Sequence, residues 1–210
     1  MPRKMLDPMK ECSKAASISA GLRPSELAAL KWPRAIPKRL LKVTIYSPAQ
    51  VRKLATLLWK KREDPTAESA MLFVVLGAFA GLRPTEIVGL DWSAINFAKK
   101  QISFRPTNSK RYREVSIEDN LWAFLLPYRD RKGIIVTQKN VSALVQTYFK
   151  ELGVKYISDG LRRSYGTYRL MKSPVEVVQR EMGIAPGMLD NYFRAGCTPA
   201  AATRYWRIYP

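Results

Sequence analysis

Histidine is missing altogether from these 210 residues, and cysteine is nearly so, with Cys12 and Cys197 near opposite ends. The usual zinc ligands are therefore lacking, and so is the imidazole that most often does general acid–base work. The two thiols have no ligand spacing, so no metal or organic cofactor is expected, and a reduced, cytoplasmic setting is the simpler inference. Long apolar runs are lacking too. The longest, Ala70 to Leu82, falls short of the about 20 residues that span a bilayer, and reads as a buried core helix. No apolar segment follows the basic start Met1-Pro2-Arg3-Lys4-Met5, so no secretory signal is read there. Acidic residues are scarce: 17 Asp and Glu stand against 36 Lys and Arg, a net charge of +19. A field of that sign favours polyanions, nucleic acid foremost, over a membrane or a small-molecule substrate.

Residues 1–45 differ from the rest. They are rich in Pro, Lys and Arg and contain the extended-linker pattern Pro33-Arg34-Ala35-Ile36-Pro37-Lys38-Arg39. A helix is predicted from Ser47, which can cap with Pro48 in the first turn and Gln50 closing the box, to about Lys61. Further helices are expected over about 66–79 and 84–90, then 119–128, 139–152, 160–172, 174–182, 186–194 and 199–207. Ser173 is read as a cap with Pro174 in the first turn, Gly183 as a stop, and Thr198-Pro199 as a fresh start. Partial alternation over Trp92–Phe97, Gln101–Arg105 and Glu114–Ile117 predicts a three-stranded antiparallel sheet, with turns at 98–100 and 107–109. The fold class is α+β, mostly helical. Ala20 to Trp32 repeats the pattern of Ala80 to Trp92, but two copies do not make a solenoid.

The second copy opens a constellation with chemical meaning. Cutting a DNA backbone without metal needs donors for the non-bridging phosphate oxygens, and arginine's planar, permanently charged fork suits them. It needs a nucleophile, and a tyrosine phenol can form a phosphotyrosyl bond that is later reversed. It needs a proton for the leaving oxygen, which a hairpin lysine can give. Gly81-Leu82-Arg83-Pro84-Thr85-Glu86 ahead of Leu90-Asp91-Trp92 offers Arg83. Ser109-Lys110-Arg111-Tyr112-Arg113 offers Lys110 in a turn, Leu161-Arg162-Arg163-Ser164 offers Arg162, and Met182-Gly183-Ile184 precedes Asn191-Tyr192-Phe193-Arg194.

From Ile45 onward these motifs resemble the catalytic domain of the tyrosine recombinases, the phage-integrase family. The resemblance implies that fold for residues 46–210, with 1–45 as a short basic arm or remnant of a core-binding domain. It implies duplex DNA as partner, a possible homo-oligomer on DNA, and site-specific recombination or integration, as in mobile elements. It assigns catalytic positions to Arg83, Lys110 and Arg162, with Tyr192 as the candidate nucleophile. Arg105, Arg111, Arg113, Arg163 and Arg194 are the candidate DNA contacts.

The departures are equally specific. Asp159 and Ile184 stand where the family has histidines. The family's spacing places the nucleophile on Phe193, which has no oxygen, while Tyr192 lies one residue early. On a helix one residue is about 100° of rotation. Three classes stay open: a recombinase in which Tyr192 attacks, a non-catalytic DNA binder, and a basic protein-interaction module. Impaired catalysis with retained DNA binding is the expectation.

Overall fold

The computed structural model describes residues 43–105, 112–185, 188, 193 and 197–210. Helix α1, Pro48–Lys60, begins as its sequence predicts: the Ser47 hydroxyl accepts the Gln50 N–H and the Gln50 side chain accepts the Ser47 N–H. Val51, Leu54, Ala55 and Leu58 recur at helical spacing and are buried on α2, Pro65–Phe79. Helix α2 starts at Asp64, whose carboxylate accepts the Thr66 N–H at 2.8 Å. From Ser69 to Phe79 every residue of α2 is buried, so the apolar run is the core helix it was expected to be. Neighbours therefore surround it: α1, the short α3 (Pro84–Val88), α4 (Asp119–Leu125), α5 (Val141–Glu151) and α6 (Gly160–Leu170). Among the described residues, no helix is long and apolar enough to cross a membrane.

The sheet is three-stranded and antiparallel, ordered β1 (Ile95–Asn96), β2 (Gln101–Phe104), β3 (Arg113–Ser116). Ile95 faces Ile102, and Ile102 faces Val115, so one apolar row lies in the core. The first strand is shorter than expected. Trp92–Ala94 is a 3₁₀ turn, because the Asp91 carboxylate accepts the Ser93 N–H and winds the chain there. The turn expected at 98–100 is present: Asn96 Oδ1 accepts the Lys99 N–H at 2.9 Å. The second turn, 107–109, lies outside the described residues.

Helix α7, Val175–Met182, packs on β3 and α6. Pro174, not Ser173, occupies its N-cap, and no side chain caps it; Ser173 is instead buried, its N–H bonded to the Arg169 carbonyl at the end of α6. Helix α8, Pro199–Trp206, is capped by the Thr198 hydroxyl and lies on α1 and α6. Tyr205 is fully buried there; its hydroxyl donates to the Ala78 carbonyl at 2.5 Å and its ring stacks on Tyr168 at 4.1 Å. Trp206 Nε1 donates to the Tyr168 carbonyl, so this segment packs on its own domain. The helix expected at 119–128 is α4 followed by a 3₁₀ turn at Leu126–Tyr128, where Pro127 cannot supply a helical N–H. Of the helix expected over 186–194 only residues 188 and 193 are described, and the first copy of the repeat, within residues 1–42, lies outside the described residues.

Candidate functional site

Helix α2 ends at Phe79, and the chain must reverse to start α3. Gly81 makes this reversal with φ +62°, a left-handed conformation that favours glycine. The Tyr165 ring packs beneath it so closely that a Cβ would lie 2.3 Å from the ring. Arg83 follows in extended conformation at the N-cap of α3, with Pro84 in the first turn. Three residues on, Glu86 reaches back: Oε2 accepts the Arg83 N–H at 2.7 Å and Oε1 accepts Arg83 Nη1 at 2.9 Å.

The same carboxylate receives a second arginine from the sheet. Arg113, the first residue of β3, donates Nη1 to Glu86 Oε1 at 2.7 Å and Nη2 to Oε2 at 2.6 Å. Its guanidinium lies 4.5 Å from the centroid of the Phe104 ring, its partner in the ladder. Burial alone would raise the Glu86 carboxyl, but the bonds and charge of Arg113, helped by Arg83, hold it below the usual carboxylate range. Burial pulls Arg113 down in turn, against the opposing pull of Glu86.

Arg162 comes from the first turn of α6, after Asp159 at φ +53°. Its Nη1 donates to the Gly81 carbonyl and its Nη2 to the Met182 carbonyl at 2.5 Å. Met182 is the last residue of α7, where carbonyls lack helical partners and carry the negative end of the helix dipole. Gly183 then turns left-handed at φ +59°, against Arg113, whose Cδ would lie 2.9 Å from an added Cβ. Arg113 Nη1 also donates to the Met182 carbonyl, at 3.2 Å, and Arg83 Nη2 to the Gly183 carbonyl, at 3.3 Å. Three guanidiniums from α3, β3 and α6 thus gather around one carboxylate and one helix end.

Of the residues singled out in the sequence, Arg83 and Arg162 are brought together here. Arg83 keeps 38% of its side chain exposed, whereas Arg162 is 1% exposed and committed to main-chain carbonyls. Arg113, one of the candidate DNA contacts, is 5% exposed and clasped by Glu86, because a guanidinium beside a carboxylate pairs with it. Arg105 is exposed at the end of β2, and Arg163 is half-buried on α6. Lys110, Arg111, Tyr192 and Arg194 lie outside the described residues. Ile184 and Phe193, at the positions of the expected histidine and nucleophile, are 9% and 2% exposed and belong to the hydrophobic core.

A buried network supports the site from below. Glu181, on the last turn of α7, accepts Arg169 Nε and Nη2 and the Tyr165 hydroxyl, each at 2.8 Å. Arg169 Nη1 and Lys172 Nζ both pair with Glu118 at the start of α4. Burial would raise the Glu181 carboxyl, but the Arg169 fork holds it low; burial pushes the Tyr165 hydroxyl well up. Sequence reasoning did not find this network. Its partners are far apart in the chain and show no spacing pattern. Nor could it find the acceptor carbonyls of Gly81, Met182 and Gly183, since backbone groups have no residue signature.

No family model matches the sequence, and no characterised protein matches it by sequence. Solved structures do match in fold. The crystal structure of XerA recombinase matches at TM-score 0.58 and 14% identity, over 98% of this chain and 84% of that one. The catalytic domain of bacteriophage HP1 integrase matches at 0.53 and 17%, over 80% of this chain and 90% of that one. The Tn1549 transposon integrase in complex with circular intermediate DNA matches at 0.54 and 17%, over 87% of this chain and 68% of that one. At these identities the likeness is one of architecture: helices around a small three-stranded antiparallel sheet, the fold of the integrase catalytic domain.

Proposed function

We propose that this chain binds duplex DNA as a recombinase- or integrase-like protein of site-specific recombination or integration, and that its own strand-transfer chemistry is impaired. The observation that carries the reading is the meeting of Arg83 and Arg162 at the Met182–Gly183 carbonyls, far apart in the chain yet on one site. A net charge of +19 supports a polyanionic partner. Impairment is supported by Ile184 and Phe193, two buried apolar side chains at positions where proton transfer and attack would need imidazole and phenol. In this reading Arg83 holds a phosphate oxygen with its exposed face. Lys110 is the candidate donor of a proton to a leaving 5′-oxygen, and Tyr192 carries the phenol nearest in sequence to the nucleophile position.

Two measurements test this. Affinity for a duplex should fall steeply with salt, with a log–log slope of about −0.9 for each phosphate neutralised; a flat response removes the DNA-binding reading. With a suicide substrate that traps a phosphotyrosyl bond, no covalent protein–DNA adduct is expected. An adduct that disappears in Tyr192→Phe would overturn the impairment and make Tyr192 the nucleophile.

A further inference from the structure

Arg113, a candidate DNA contact by sequence, is buried in the protein at 5% exposure. A buried guanidinium is costly unless it is fully paired, so its place near the site calls for a physical account. Its partner Glu86 supplies one. A carboxylate has about four lone-pair sites. Glu86 fills them with the Arg83 N–H, Arg83 Nη1, Arg113 Nη1 and Arg113 Nη2. Because Arg113 takes two sites, Arg83 gives Glu86 a single side-chain bond. Its other described bond, to the Gly183 carbonyl, is long at 3.3 Å. Among the described residues, the rest of a five-donor fork on a 38% exposed side chain remains for an outside anion.

On the DNA-binding reading given above, we propose that Arg113 is a positioning residue for Arg83: by occupying Glu86 it keeps the Arg83 fork turned toward a phosphate. Without Arg113, Glu86 is left buried at 6% exposure with two vacant acceptor sites. Among the described residues Arg83, already bonded to Glu86, is then placed to fill them, as a bidentate pair that turns its outward donors inward. Arg113 also shares the Met182 carbonyl with Arg162, so it ties β3 to both site arginines.

A double-mutant cycle on duplex DNA binding tests this, read by fluorescence anisotropy over a salt series with wild type, Arg83→Ala, Arg113→Met and the double variant. Arg83→Ala should weaken binding about 10-fold and make the salt slope shallower by about 0.9, the loss of one phosphate contact. Arg113→Met should do the same although its side chain is buried, and the double variant should be no weaker than either single one. A merely structural Arg113 would lower the unfolding midpoint and leave the slope and the cycle untouched. The proposal is overturned if Arg113→Met binds with wild-type slope, or if its loss adds fully to that of Arg83→Ala. Should Arg113→Met not fold, Arg113→Lys decides. It keeps the charge but not the fork, so a smaller loss that vanishes in the Arg83→Ala background is expected, and an additive one overturns the proposal. A wild-type chain that does not bind DNA removes this inference together with the reading beneath it; wild-type binding with an additive cycle removes this inference alone.

Discussion

Replacing Glu181 by glutamine tests the support beneath the site. The carboxylate is buried and receives two N–H groups of Arg169 and the Tyr165 hydroxyl, each at 2.8 Å. Glutamine keeps one oxygen and turns an NH2 group toward donors, so at least one buried donor loses its acceptor. Breaking a buried ion pair from one side costs about 3–5 kcal/mol. Here Glu118 still faces Arg169 Nη1, which puts the expected loss at the lower end, about 3 kcal/mol. At about 2–4 °C per kcal/mol for a domain of this size, the melting point should drop by about 10 °C. The pH dependence supplies the discriminating readout. The folded state holds the Glu181 carboxyl below its ordinary value, so its contribution is full above the unfolded value of about 4.3 and is lost as pH falls through that range toward the folded value. Urea unfolding at pH 7 and at steps down to about pH 3 should therefore show the difference between wild type and Glu181→Gln shrinking with acid. Glu86 has the same sign, so the variant keeps an acid limb of its own. A loss under about 1 kcal/mol at pH 7, or a difference that stays constant across the series, would refute the reasoning.

Two other substitutions probe the packing that sets the site. Gly81→Ala should lose more than about 3 kcal/mol by chemical denaturation, because the new Cβ meets both an unfavourable φ and the Tyr165 ring; a loss under about 1 kcal/mol would show that this turn is loosely held. Tyr205→Phe removes the donor to the buried Ala78 carbonyl and keeps the ring stack, so a loss of about 1–2 kcal/mol with an unchanged salt slope for DNA is expected from paired unfolding and binding measurements.

What the sequence disclosed follows a physical line. Helix α1 announced itself because Ser47, Pro48 and Gln50 act within three residues of one another, and α2 because its apolar run is too long and too uniform to sit at a surface. The sheet was legible through its core row, Ile95, Ile102 and Val115. The start of β1 was not, since Trp92–Phe97 shows partial alternation while the Asp91 carboxylate enforces a turn. At the site, Arg83 and Arg162 could be picked out because each sits in a local pattern. The pairing of Arg113 was not legible: its neighbours in the chain are basic, whereas its position is set by Glu86 and Gly183, which come from other elements.

The two arginines that the sequence singles out, Arg83 and Arg162, also do structural work, and this bears on how much chemistry their presence implies. Arg162 donates to the Gly81 and Met182 carbonyls, and removing it would leave two nearby acceptors at chain reversals without that donor. Arg83 closes the first turn of α3 with Glu86 and reaches Gly183. A position with such ties is held by the fold whether or not a phosphate is ever cleaved there. Imidazole and phenol at Ile184 and Phe193 would have no comparable tie, since both positions lie in the core, where an unpaired polar group is costly and a hydrocarbon is favoured. Arginines at 83 and 162 and hydrocarbon side chains at 184 and 193 are therefore each accounted for by the packing around them. DNA binding through the exposed face of Arg83 requires nothing that this packing takes away.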